Sequence, residues 1–485
     1  MDTFSGGYGS GAAGNSTKWL SSCPNVALSS YFLSTRPEFL YNMAKINPIT
    51  VSLFMLLTKL NVNYCVLRNY EHLPLHTGGS DLDMWVSPED YPRFLEILGD
   101  VCQACDAHLV SYKDDKLCPQ FTLCAYLSGL QIDMHIGLAN HKGVAYFDES
   151  IIGHHILEHN GIKVLAPEAD GLICFLKEML NNKRCKTEYC EKARRAIAQV
   201  SDTEAEQYLK AFSPAVRTKI LGVLRNADFE EAVIRQVGIA ASKDLQTPAS
   251  RWLYLCTQAK KTSRFFRPLG YTVAFLGTDG SGKSTIINAL TPVLSEAFHK
   301  GVRYEHMRPN YLPSLAVLTG KKSKDAPVEV CVDPHGGKPS GFFGSLLRVS
   351  YYWLDYTYGY FRKVYFDKSV KNHVWIFDRY FYDYANDPRR ACIKLPRWLL
   401  HFYGLLVPDP DIIICLGTDA EKIHARKPEL PLEEIRRQVE RLRRFAGHNS
   451  HAVWIDTGCS VEESVRQTMS VLLDRMSRRF ASVIR

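Results

Sequence analysis

Three textures follow one another along the chain when its apolar positions are read by spacing. From Pro48 a helical pattern, PITVSLFMLLTKL, leads into a short apolar strand, Tyr64 to Leu67, and SDLDMWVS then alternates as a half-buried strand does. YPRFLEILGDVCQACDAHL places Phe94, Leu95, Leu98 and Val101 at helical spacing, and FTLCAYLSGLQIDMHIGL predicts a hairpin turning at Ser128-Gly129. This first texture is a small α+β unit that ends near residue 165. From Ala166 to about Gln258 the pattern is helical throughout, with Lys/Arg-rich faces, and SKDLQTPASRW reads as a hinge. Beyond it, strands YTVAFLG, HVWIFD, DIIICLG and AVWID alternate with helices, which implies a parallel sheet covered on both faces. No internal repeat is found. The expected fold class is therefore α/β: a doubly wound parallel sheet at the C-terminus, an α+β domain at the N-terminus and a helical middle. The expected boundaries are a Gly/Ser-rich tail over 1–25, a first domain over 26–165, helices over 166–258 and the parallel-sheet domain over 259–485. A chain of 485 residues should hold two or three domains.

Composition narrows the class. A 46% hydrophobic and 23% charged chain has ample core material, and a formal charge of +8 suits anionic phosphates without indicating nucleic acid. Its 14 cysteines are scattered rather than framed, so reduced thiols and a cytoplasmic location are expected. MDTFSGGYGSGAAGNSTKW lacks the basic start and apolar core of a secretory signal and reads as a flexible tail. The apolar stretch Ile49 to Leu60 falls short of the roughly 20 residues a bilayer span needs, so no membrane contact is expected.

Chemistry is densest in VAFLGTDGSGKSTIINAL, where a strand, a glycine-rich loop and a helix follow in order. Gly277-x-x-x-x-Gly282-Lys283-Ser284 satisfies the P-loop pattern, whose backbone amides and helix N-terminus cradle phosphates. The expected cofactor contacts are Gly277, Gly280, Ser281, Gly282, Lys283, Ser284 and Thr285. Lys283 should reach the β- and γ-phosphates of ATP, and the Ser284 hydroxyl should bind Mg²⁺. Asp378 ends the strand VWIFD, where parallel sheets place ligand-binding groups; its carboxylate can orient Mg²⁺ water, and Arg379 beside it can clamp a phosphate. Arg426 and Lys427 follow DIIICLG in what reads as a loop, where a cationic lid would arise. Arg437, Arg441 and Arg444 share one face of the next helix, and such faces are usually solvated.

GTDGSGKST, then DRY, then PDIIICLGTDAEKIHARK resembles the thymidylate kinase branch of the nucleoside monophosphate kinases, from about Gly270 to the C-terminus. The resemblance implies that Asp279 contacts the acceptor's sugar hydroxyl, that Asp378 and Arg379 lie across the phosphates, and that Arg426 completes the site. It also implies that Arg308, in HMRPN, touches the acceptor phosphate. Two features depart from the family. Lys321 to Phe343 is a longer segment than a plain thymidylate kinase needs, and the helix LLRVSYYWLDYTYGYFRKV is crowded with aromatics that serve either core packing or ring stacking.

In the first domain, GGSDLDMWV sets Asp81 and Asp83 two residues apart on a strand, and Asp133 in LQIDMHI is a third carboxylate on a neighbouring strand. Three such groups can hold divalent metal. Residues Tyr64 to Ile136 resemble the nucleotidyltransferase superfamily that includes DNA polymerase beta. Where that superfamily carries a Gly-Gly or Gly-Ser pair gripping the triphosphate, this chain has Arg68-Asn69. The combination looks like the two-domain thymidylate-kinase-like proteins of bacteria, several of which are encoded near surface-polysaccharide genes. Cys102-x-x-Cys105, with Cys118 and Cys124, lies in a predicted helix without turn glycines and is not read as zinc, and His154-His155 is read as surface.

The leading expectation is an ATP- and Mg²⁺-dependent phosphotransferase joined to a nucleotidyltransferase-like domain. It takes a nucleotide donor and a small-molecule acceptor, a nucleoside monophosphate or a related nucleotide or sugar. Two alternatives stay open: a nucleotidyltransferase acting on a small molecule, RNA or protein with the P-loop half as feeder or sensor, and a non-catalytic nucleotide-gated switch. Oligomeric state is open as well, a homodimer or larger assembly included.

Overall fold

The computed structural model describes residues 46–115, 118–313, 315–318 and 340–484. The stretch 1–25 and nearly all of Lys321 to Phe343 lie outside the described residues. Fourteen strands are present among them: β1 (Tyr64–Val66), β2 (Leu82–Val86), β3 (His108–Lys113), β4 (Gln120–Cys124), β5 (Gly129–Ile136), β6 (Leu138–His141), β7 (Val144–Asp148), β8 (Ile156–His159) and β9 (Ile162–Leu165), then β10 (Tyr271–Leu276), β11 (Val302–His306), β12 (Val374–Asp378), β13 (Ile412–Gly417) and β14 (Ala452–Asp456).

The first sheet is mixed, in the order β3-β4-β5-β2-β1-β9-β8, with β2 parallel to β5 and β4 antiparallel to β5. The hairpin at Ser128 forms as its turn residues predict, Ala125 N donating to Ser128 O at 2.8 Å. One boundary differs. The helix expected through Leu109 stops at Cys105, because Asp106 turns left-handed at φ 49° and the chain returns as β3. Strands β6 to β9 are too short and too irregular in pattern for periodicity to find.

Six helices from Pro167–Asn182 to Pro248–Phe266 follow β9. The last is a continuous helix of 19 residues, started by Thr247, whose side chain accepts from Ser250 N. The boundary expected at 258 therefore falls inside a helix. SKDLQTPASRW is divided between this helix and the end of Glu231–Asp244.

The C-terminal sheet is wholly parallel, in the order β11-β12-β10-β13-β14. It has five strands where four were expected. The extra one, VRYEH, has no fully buried position because it is the sheet edge, and so lacks the apolar run that marks the others.

The two sheets meet through the helix Lys283–Ala297. Its last turn sits on Gly129 so closely that a Cβ there would lie 2.3 Å from Ala297 N. Glu296 accepts from Gly129 N at 3.1 Å and from Asn47 Nδ2 at 3.0 Å. Nearby, the Tyr271 hydroxyl lies 2.7 Å from Val110 O, and Ser111 donates to Asn372 Oδ1 at 2.9 Å. Val110 and Cys124 belong to the same apolar core as Ile286, Leu290 and Leu294.

Gly129→Ala should therefore destabilise the chain by about 1–3 kcal/mol, the cost of overpacking against backbone that cannot retreat. Gly153→Ala, with nothing within 4 Å of its new methyl, is the control. Thermal melting should show a lower midpoint for the first and none for the second. Equal midpoints would mean that the interface yields.

Candidate functional site

The phosphate loop is built as its sequence requires. β10 ends at Leu276, the loop turns, and Lys283 opens the helix. Gly280 and Gly282 stand at φ +86° and +90°, where a side chain is strained, and a Cβ on Gly277 would meet Ser281 Oγ at 2.4 Å. Lys283 Nζ donates to Gly277 O and Thr278 O, both at 2.9 Å, curling over the loop it would leave for a phosphate. Burial, with Arg379 nearby, holds its ammonium down to about 7.

A cavity of about 560 Å³ opens over this loop and brings together Asp279, Lys283, Ser284, Asp378, Arg379 and Arg426, drawn from three separate stretches of the chain. Gly280, Gly282 and Thr285 also line it, whereas Gly277 and Ser281 lie beneath as structural parts of the turn. Asp378 sits at the end of β12, level with Phe275 of β10. Its Oδ2 accepts from the Tyr304 hydroxyl at 3.2 Å, and His306 Nδ1 lies at 3.7 Å. Burial works to raise its carboxyl, but His306 and Lys283 outweigh that and lower it. Its Oδ1 is buried without a hydrogen-bond partner. A bare carboxylate oxygen on a residue that lines the same cavity as Ser284 fits a hard divalent cation such as Mg²⁺.

Arg379 is more constrained than a free phosphate clamp. It stands at φ 77°, in a conformation that costs a side-chain-bearing residue about 1–3 kcal/mol. Its N donates to Phe275 O at 2.9 Å, which fixes the turn. Its guanidinium is shared at 2.5 Å by Asp383 Oδ2 and Asp279 Oδ1. Arg390 bonds the other oxygen of Asp279. Burial would raise the Asp279 carboxyl, yet Arg379, Lys283 and Arg390 together hold it well below the usual carboxylate range.

Two expected positions differ in detail. Arg426 is the last residue of the helix Ala420–Arg426, not part of a loop, and its Nη2 donates to Thr457 O at 2.9 Å. Arg308 is buried and paired with Asp355 at 3.0 Å, stacked over the Tyr352 ring, and does not line the cavity. Part of the aromatic helix serves the core: Tyr356 and Tyr360 are buried and Tyr356 packs edge-on to Tyr380 and Phe381, while Tyr358 and Phe361 are exposed. Of the arginine face, Arg441 donates to Asn386 O at 3.0 Å, while Arg444 pairs with its own helix neighbour Glu440. Sequence reading missed Arg390, Asp383, Tyr304 and His306. The doubled arginine after Pro388 was the one available signal for Arg390.

In the first domain Asp81, Asp83 and Asp133 do converge, with oxygens within 4.8 Å of one another. Asp83 and Asp133 face each other across the parallel pair β2–β5, and Asp81 sits just before β2. No cysteine joins a comparable group among the described residues; Cys105 Sγ lies 3.3 Å from Ser52 Oγ. His154 is exposed, but His155 is half-buried and bonded to the Tyr208 hydroxyl at 3.1 Å.

No helix among the described residues is long and apolar enough to cross a membrane. No protein-family model matches the chain, and no curated protein does. Among solved structures, the chain is similar to the thymidylate kinase of Candida albicans, with 16% identity and a TM-score of 0.32, over 43% of this chain and 93% of that one. It is likewise similar to the thymidylate kinase of Ehrlichia chaffeensis, with 17% identity and a TM-score of 0.28, over 42% and 98%. A five-stranded parallel sheet with a P-loop after its central strand makes the C-terminal half a P-loop α/β domain.

Proposed function

We propose that the C-terminal domain is an ATP- and Mg²⁺-dependent phosphotransferase whose acceptor is a nucleoside monophosphate or a related nucleotide or sugar. The observation that carries this reading is the single cavity in which Lys283, Ser284, Asp378 and Arg426 face one another. Mg²⁺ held by Ser284 and Asp378 would neutralise the phosphates during in-line transfer. The chain's own groups do the rest. Loop amides and Lys283 bind the donor's phosphates, and Arg426 adds a fixed positive charge at the cavity wall. Asp279, immobilised by two arginines, is a preformed acceptor for a hydroxyl on the phosphate-receiving molecule. Transfer of a phosphoryl group needs little covalent chemistry, so positioning and charge complementarity account for the rate.

Lys283→Ala should lower phosphoryl transfer from labelled ATP by at least about 100-fold, as loss of a transition-state cation does. Circular dichroism and melting should remain those of the parent chain. The acceptor is found first, by mass spectrometry of nucleoside monophosphates and sugars incubated with ATP, Mg²⁺ and the protein. Undiminished transfer in the variant removes the kinase reading.

Proton linkage gives a second check. With its ammonium held near 7, Lys283 is mostly neutral at pH 8, and a polyphosphate restores its charge. Nucleotide binding at pH 8 should therefore take up close to one proton, seen by calorimetry in buffers of different ionisation enthalpy. Affinity should be flat below pH 7 and fall above it, by at most about tenfold per pH unit. Lys283→Arg, charged throughout, should show no uptake; uptake equal to the parent's would assign the proton to another group.

A further inference from the structure

The carboxylate cluster of the first domain is already filled by the chain's own cations. Lys177 Nζ donates to Asp83 Oδ1 at 2.6 Å, and Arg68 Nε bonds Asp83 Oδ2. Arg68 also lies 3.7 Å from Asp81, and Asp133 Oδ1 accepts from Gln120 Nε2 at 2.7 Å. Asp83 is 1% exposed, so a charge there must be matched by opposite charge at contact distance. It is matched twice over without any ion. A divalent cation needs oxygen lone pairs at about 2.0–2.6 Å, and on Asp83 both oxygens are committed to nitrogen donors.

Beside this cluster lies a cavity of about 580 Å³, closed on one side by the helix Pro248–Phe266. Five lysines line it against two carboxylates, Asp115 and Asp133. Lys177 is held by Asp83 and Lys260 by Asp114, at 2.7 Å. Lys113, Lys142 and Lys261 have no carboxylate partner among the described residues. His135 also lines the cavity; it is 6% exposed, and its Nδ1 has no hydrogen-bond partner. Ammonium groups without carboxylate partners, Lys142 among them over the Tyr254 ring at 5.7 Å, around a buried imidazole nitrogen without a hydrogen-bond partner make a receptor for an anion.

We propose that the first domain works without a divalent metal: Arg68 and Lys177 take the cations' place among Asp81, Asp83 and Asp133, and the cavity beside them binds a phosphate-bearing anion directly on Lys113, Lys142 and Lys261. The polyphosphate belongs either to a nucleotide or to a free inorganic chain, and the cavity reads the charge common to both.

The full-length chain carrying Lys283→Ala, Arg426→Ala and Lys427→Ala, which removes the cations of the P-loop cavity that lie outside the Asp279–Arg379–Arg390 network, is titrated with inorganic tripolyphosphate in EDTA by calorimetry. One equivalent should bind, and adding Lys113→Ala with Lys261→Ala should weaken it at least tenfold. ATP in place of tripolyphosphate separates the sources: tenfold tighter binding means that a nucleoside is also recognised, equal binding means phosphates alone, and both uphold the site. Manganese titration of the same chain by electron paramagnetic resonance should reveal no site that Asp83→Asn removes. An Asp83-dependent manganese site, absence of anion binding in EDTA, or binding indifferent to the two lysines overturns the proposal.

Discussion

The seat of Ala297 on Gly129 is the contact on which both halves of the molecule depend. A helix of 15 residues runs from the phosphate loop to that seat, about 22 Å at 1.5 Å per residue. Its first residue is the P-loop lysine, and its last turn is pinned by the hairpin of another domain. Glycine is required at the hairpin end for space, because any larger residue meets backbone rather than a movable side chain. Glu296 fastens the same point by accepting from Gly129 N and Asn47. The apolar side of the helix is buried with Val110 and Cys124 of the first sheet, so separating the domains would expose core. The phosphate loop is thus braced from behind by the first domain, and a shift at either end of the helix is imposed on the other.

Around the loop, charge is arranged so that little of it moves. Asp383, Arg379, Asp279 and Arg390 form a chain of alternating sign through the wall of the cavity. Buried pairs of this kind add little net stability, since desolvation offsets attraction. What they provide is geometry: neither Asp279 nor Arg379 is free to choose another rotamer. The left-handed turn at Arg379 has the same sense, a local strain held by the strands on either side. The cations left facing the cavity are then Lys283 and Arg426, with Lys427 beside them paired to Glu429 at 3.1 Å, and this local excess of positive charge suits a polyanion.

Local codes were legible in the sequence, and remote pairings were not. The strand–loop–helix around Gly277 could be read because each step is set by neighbours within a few residues: apolar run, glycines, lysine, helical pattern. Alternation likewise brought Asp83 and Asp133 to one place, because period-two strands fix which side a residue faces. Arg390 and Lys177 could not be found that way, for their partners lie 111 and 94 residues distant and only folding makes them neighbours. Arg308 is a further remote pairing: its motif suggests a ligand contact, and Asp355, 47 residues on inside the aromatic helix, is the partner the fold gives it. The edge strand β11 escaped because exposure, which follows from sheet order, erased its apolar signature.

Asp378 and Asp83 are the same residue type on strands of two sheets, and their surroundings give opposite answers about metal. Asp378 accepts one hydroxyl on Oδ2 and leaves Oδ1 buried and bare, with Lys283 close enough to favour its charged form but not bonded to it. Such an oxygen has a lone pair to give, and its desolvation is relieved when a cation arrives. Asp83 has an ammonium on one oxygen and a guanidinium on the other, so an arriving cation would have to displace bonds already made and meet two positive charges at contact range. Motif spacing treats the two aspartates alike. The difference lies in whether a side chain from elsewhere has already neutralised the carboxylate, and Lys177, from a helix nearly a hundred residues downstream, is what separates them.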